Sequence, residues 1–159
     1  MREDNDSKRR AVLEMMAEGF SAQGTAAVVI NKGVSGAECD ILSVMHENIR
    51  GIEATARGRY YFPEYEAAAY NVQYFTCAIE LSGPLDKKAA KDVNKLCAEL
   101  NPRLICGSFA VYPEVGLVYN MTIPLIENLT EGQLFDQVNV AVGNAMAVAA
   151  NWKAMTEEE

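Results

Sequence analysis

The stretch from Thr130 to Met155 restricts the fold more than any other part of the chain. From Gln137 to Trp152 it contains no charged side chain. Thr130 and Gln133 have the spacing of a capping box, in which each side chain takes the other residue's otherwise orphaned backbone N–H. Leu129 and Leu134 flank the cap as a hydrophobic staple. Leu134, Val138, Ala141, Val142, Ala145, Val148, Trp152 and Met155 recur at steps of three and four, which puts them on one helical stripe. The opposite side is small rather than charged: Val140, Gly143, Ala147, Ala150 and Ala154. A helix without a charged face is normally covered on more than one side. This one is expected to lie under a sheet, against a second chain, or both.

Upstream, a polar lead-in (residues 1–6) reads as disordered, and residues 7–156 as a single α+β domain. Asp6 or Ser7 caps a first helix with Leu13, Met16, Ala17 and Phe20 on its apolar stripe, and Gly19 and Gly24 limit its length. Thr25 to Ile30 is β-branched and apolar, hence a strand. Residues 31–36 read as a turn, because their glycines lack the order that places lysine and hydroxyl on a phosphate. Cys39 to Asn48 is a second strand. In the third, Ile52, Ala54, Ala56, Gly58, Tyr60 and Phe62 alternate with Glu53, Thr55, Arg57, Arg59 and Tyr61. Tyr70 to Ser82 is a fourth, with Phe75, Cys77, Ile79 and Leu81 on one face and a hardly polar row on the other, so something is expected to cover that second face. Asp86 caps a second helix that Pro102 ends. Leu104–Tyr112 and Leu117–Leu125 form a hairpin around residues 113–116. The order α-β-β-β-β-α-β-β-α, with hairpin-length links, predicts a mainly antiparallel sheet with helices packed on one side.

Charge narrows the partners. The formal net charge is −8, which argues against a nucleic-acid or anionic-membrane surface, since both need a basic patch. No apolar run reaches the ~18 residues of a membrane span, and the first residues lack a secretory apolar region. The expected location is the cytoplasm. Cys39, Cys77, Cys97 and Cys106 include no C-x-x-C pair and His46 is the sole histidine. Reduced, mostly buried thiols follow, with no metal and no cofactor expected.

From Tyr70 to Trp152, about half the chain by pattern, the segment containing "GSFAVYPEVGLVYNMTIPL" and "LTEGQL" resembles the YbjN-like family, which shares the fold of the class I type III secretion chaperones of the Tir-chaperone type. The resemblance implies a compact, usually dimeric α+β domain without known catalysis, chaperone-like or regulatory. Chaperone members of that fold are small, acidic and cytoplasmic and bind an extended segment of a partner protein. The tyrosine-rich β region before the second helix is longer here than in that pattern.

The residues themselves offer little chemistry. His46 and Glu47 are adjacent in a strand and so point to opposite faces, unsuited to a shared substrate. Cys106 needs a nearby base or positive charge to act as a nucleophile. Arg57 and Arg59 fit a cross-strand ion pair better than an anion site. Five of the seven tyrosines lie between Tyr60 and Tyr74, and tyrosine is enriched at interfaces. The candidates for a partner or dimer interface are therefore Tyr60, Tyr70, Val72 and Tyr74 on the sheet, and Gly143 and Ala147 on the last helix. The expected function is a non-enzymatic interaction module, a homodimer that binds a segment of a partner protein. The alternative is a small-ligand-binding or enzymatic domain with a pocket between sheet and helices.

Overall fold

A computed structural model of the chain describes residues 2–48, 54–63, 73–125 and 128–157. The elements run α1 (Arg2–Ala22), β1 (Ala26–Ile30), β2 (Ile41–Glu47), β3 (Thr55–Tyr61), β4 (Gln73–Glu80), α2 (Lys87–Leu100), β5 (Ser108–Tyr112), β6 (Gly116–Leu125) and α3 (Glu131–Glu157). The strands form one sheet in the order β1-β2-β3-β4-β6-β5. Every pair in it is antiparallel. This is the expected α+β layout, with α1 against β1 and β2, α3 over β3 and β4, and α2 against β5.

Period-two burial explains why the sheet holds its register. Leu42 and Val44 of β2, Ala56 and Tyr60 of β3, Phe75, Cys77 and Ile79 of β4, and Tyr119 and Ile123 of β6 are all buried on the helix-covered face. The pairings Leu42–Tyr60–Cys77 and Val44–Gly58–Ile79–Tyr119 carry that face across four strands. A slip of one residue would turn the whole set into water. The other face carries Val28, Ser43, Arg59, Ala78 and Asn120 in one cross-strand row. No described helix lies on it. Its Arg59 Nε is 3.3 Å from Glu80 Oε1, a half-exposed cross-strand pair of the kind worth about 0–1 kcal/mol. The ion pair expected for the arginines is therefore made with Glu80; Glu53, the carboxylate read beside them, lies outside the described residues.

Two expectations about α1 are corrected. The helix starts at Arg2, ahead of the Asp6 or Ser7 cap expected for it. Gly19 does not limit it. The residue lies within the helix, and a side chain there would meet the Phe135 ring at 2.9 Å; glycine provides the notch in which α3 packs on α1. The true stop is Gly24, with φ of 79°. Thr25 N donates to Phe20 O and Gly24 N to Ser21 O, both at 3.0 Å, which is a Schellman closure that only a left-handed residue completes without strain.

The caps on the other helices are as read. Asp86 accepts from Ala89 N at 2.8 Å. Thr130 N donates to Gln133 Oε1 at 3.0 Å, and Gln133 N to Thr130 Oγ1 at 3.1 Å. Thr130→Ala is expected to lower stability by about 1 kcal/mol in urea melts, with the far-UV spectrum unchanged.

Candidate functional site

Leu134, Val138, Ala141, Val142, Ala145, Met146 and Ala149 of α3 are buried against the sheet. The stripe thus runs through Met146 and Ala149 where Val148, only partly buried, was expected. The other side of α3 is open. Val140 is 50% exposed, Ala147 and Asn151 are exposed, and Gly143 and Asn144 are half-buried. From Gln137 to Asn151 this outward side carries no charge. Among the described residues, the sheet covers the opposite side of α3 and no second layer covers this one.

The strip extends beyond the helix. Asn144 Nδ2 lies 3.8 Å from Cys106 Sγ, so the loop before β5 rests on the middle of α3. Val140 and Ala147 are one helical turn to either side of Asn144. Ile105, next to Cys106, is 103% exposed. The loop is fixed from several directions. Asn101 grips the edge strand, donating from Nδ2 to Phe109 O at 2.9 Å and accepting from Phe109 N at 2.7 Å. The Tyr119 hydroxyl donates to Cys106 O at 2.9 Å. Gly107 has φ of 72°, and a side chain there would run into the Tyr119 hydroxyl. A fully exposed isoleucine on a loop held this firmly is a fixed apolar side chain at the surface, one residue from the contact with α3.

The sequence-level candidates separate. Gly143 and Ala147 come together on this strip. Tyr60 does not belong to a surface at all and is a correction: it is fully buried, its ring lies over Gly58, and its hydroxyl meets His46 Nε2 at 2.6 Å. Tyr60 is on the inward parity of β3, and its hydroxyl has a partner there, which removes the usual reason for tyrosine to seek water. Tyr74 is half-buried on the opposite sheet face, where it pairs with Pro124. Tyr70 and Val72 lie outside the described residues. Sequence reading missed Ile105, because Leu104 to Tyr112 scans as one strand and the strand begins only at Ser108. Gly107, an αL position just before that start, was the available sign.

The polar groups that remain are poorly placed for catalysis. His46 is sealed in the core with Phe20 against its ring at 5.3 Å, and burial lowers its pKa from 6.5 to about 4. Burial likewise pushes the Cys77 thiol up to about 12, which leaves it an inert thiol at neutral pH. Cys106 is half-buried beside the Asn144 amide and the Tyr119 hydroxyl. The latter is itself raised to about 12, mainly by burial, so neither neighbour is a base able to generate a thiolate. Among the described residues no cluster of histidine, cysteine and carboxylates suits a metal ion, and no helix is long and apolar enough to cross a membrane. Compared with protein-family models and with curated proteins, the chain matches none.

Proposed function

We propose that this chain is a non-enzymatic protein-interaction module of the cytoplasm that works as a homodimer and holds a segment of a partner protein, in a chaperone-like or regulatory role. The observation that carries this reading is the uncharged outer strip of α3, continued by Ile105. Two copies of a chain with charge −8 repel one another over most of their surfaces. The strip is a surface on which they can meet without bringing carboxylates together. From Val140 to Asn151 it is roughly 17 Å long at ~1.5 Å per residue, and Gly143 and Ala147 let a second helix approach closely. Burying Ile105 against the partner contributes about 1.5–3 kcal/mol. A stable dimer needs roughly 1,200–2,000 Å² in total, so the strip is the centre of the contact and its surroundings complete it. The open sheet face, with Val28, Tyr61 and Tyr74, is left for the partner segment. The YbjN-like and secretion-chaperone resemblance supports the same assignment.

Light scattering at micromolar concentration is expected to give the mass of a dimer, and added salt to tighten it by screening the acidic surfaces. Ile105→Lys with Val140→Lys is expected to yield monomer while the unfolding free energy stays within about 0.5 kcal/mol per site, as for exposed positions generally. A wild-type monomer, or a double variant that remains dimeric, removes the strip from the reading.

A further inference from the structure

The two edges of the sheet, β1 and β5, are finished differently. In an antiparallel sheet, alternate residues of a strand turn their N–H and C=O to one neighbour, and the residues between turn theirs to the other. Asn48 N donates to Ala54 O, and Leu81 N to Leu117 O, which fixes that alternation from edge to edge. Carried through the strand registers, it turns the backbone groups of Phe109 and Val111 outward on β5, and those of Ala27 and Val29 outward on β1. On β5 the Asn101 side chain takes both groups of Phe109. On β1 nothing among the described residues takes those of Ala27 or Val29. Open edges are ordinarily blunted by lysine, proline or a bulge. β1 has none of these: it reads Ala-Ala-Val-Val-Ile, pairs with β2 without interruption, and no charged residue lies between Glu18 and Lys32. Ala27 and Val29 are on the helix-covered face yet only half-buried, and Val28, on the other face, is 58% exposed. At the Ile30 end the charges are matched among themselves, since Arg10 of α1 bonds Glu14, Asn31 and Asp40.

We propose that β1 pairs edge to edge with β1 of a second copy, antiparallel about a two-fold axis, so that the sheet runs on from one copy into the next. The backbone groups select the register. With Val28 opposite Val28 on the axis, Ala27 of each copy faces Val29 of the other, and each such pair exchanges both bonds, so every outward group of the strand is taken. Centring the pairing on Ala27 would set Val29 opposite Thr25, whose N–H is already given to Phe20. Centring it on Val29 would set Ala27 opposite Asn31, whose C=O already accepts from Val34 N. Two further features favour a second copy. The run is uncharged in a chain of −8, so copies meet there without opposing carboxylates. The pairing also closes on itself, because it uses up both β1 edges and leaves at either end of the joined sheet a β5 blunted by Asn101. This contact is independent of the α3 strip. A five-residue edge buries less than the roughly 1,200 Å² of a stable interface, so it joins copies only well above the concentrations at which the strip dimer forms. It would give the module a second level of assembly, in which dimers pair.

The test uses the full-length Ile105→Lys/Val140→Lys chain, in which the strip is disabled. Sedimentation velocity is expected to show monomer at micromolar concentration and association into pairs with a Kd on the order of 0.1–1 mM, the weak end of protein affinities. Amide hydrogen exchange is expected to show protection of Ala27 and Val29 rising severalfold over the same concentrations, with Val111, the open position on β5, unchanged. Adding Val28→Lys sets two ammonium groups face to face on the axis, and is expected to weaken the association tenfold or more with the melting temperature unchanged. Ala27→Pro, which removes an outward N–H that an edge strand can spare, is expected to weaken it likewise; should that variant not fold, Val28→Lys decides. The proposal is overturned if the Ile105→Lys/Val140→Lys chain stays monomeric to about 1 mM, as it would were the edge reserved for a strand of another protein. It is equally overturned if Ala27 and Val29 are already protected in the monomer, or if a folded Val28→Lys chain associates undiminished. The strip has its own readout in the mass of the wild type at micromolar concentration, so either contact can fail alone.

Discussion

Lowering the pH from 7 to 4 is expected to cost this protein about 3 kcal/mol of stability through His46 alone. In the fold, burial holds the imidazole pKa at about 4 against an ordinary 6.5. The unfolded chain therefore binds a proton near pH 6.5 that the folded chain refuses until near pH 4. Between those values unfolding takes up a proton, and stability falls by ~1.4 kcal/mol per pH unit. Above pH 6.5 both states are neutral at this residue and the contribution is constant. The side chain is fully buried, so solvent screening does little to soften the effect. Among the described residues no hydrogen-bond partner meets Nδ1, and Nε2 meets the Tyr60 hydroxyl at 2.6 Å, which is pushed well above its own ordinary pKa by burial. Nothing nearby is in a position to compensate an imidazolium. Urea titrations of wild type and His46→Leu at pH 7, 6, 5 and 4 isolate the effect from the carboxylates, which titrate in both. The variant is expected to be the less stable at pH 7 by about 1–3 kcal/mol, because it strands the Tyr60 hydroxyl, and to lose less than wild type on acidification. His46→Leu combined with Tyr60→Phe should recover much of the neutral-pH loss. Parallel pH profiles for wild type and His46→Leu would show that the imidazole is not the titrating group.

That core pair also marks the boundary of what the residues alone disclose. The strand alternation in β3 and β4, the Asp86 and Thr130 caps and the element order were all legible, because each depends on spacing within one element. That His46 and Glu47 face opposite ways was legible from parity, and the first is buried and the second exposed. The identity of the histidine's partner was not, because the β2–β3 register sets His46 opposite Ala56, and only the absence of a side chain at Gly58 lets the Tyr60 ring reach along the strand to it. The same limit explains the mistaken surface role for Tyr60. Aromatic density was read as stickiness, when inward parity already placed Tyr60 with Ala56 and Phe62. Gly19 was taken for a terminator because a notch for another helix's ring cannot be seen from within its own helix. On α3 the absence of charge was legible and the direction of the open side nearly so. The loop that carries Ile105 reaches α3 through Asn144 and Cys106, a contact between residues far apart in sequence that no local pattern could disclose.

Two aspartates placed two positions apart on α3 are expected to behave in opposite ways. Ala145 is fully buried against the sheet, in the core cluster with Val138, Ala141 and Val142. Ala145→Asp would put a carboxylate where the surrounding core is apolar. Burial without a partner costs several kcal/mol whether the group stays charged or takes up a proton. The added volume costs about another 1–3 kcal/mol, since close-packed sites accept extra atoms poorly. Against a total stability of about 5–15 kcal/mol for an ordinary domain, little or no folded protein should remain, and circular dichroism with limited proteolysis would show it. Ala147 is exposed on the outer strip. Ala147→Asp meets water in the single chain, so its unfolding midpoint should stay close to wild type. Between two copies the new carboxylates would face one another across the strip, in an assembly already acidic, and association should weaken by tenfold or more. Salt should restore part of it, because the added repulsion lies near the surface and is screened. A folded Ala145→Asp would mean that the inner and outer sides of α3 are misassigned. A folded Ala147→Asp that dimerises as tightly as wild type would leave α3 as the inner support of the sheet and place the contact between copies elsewhere.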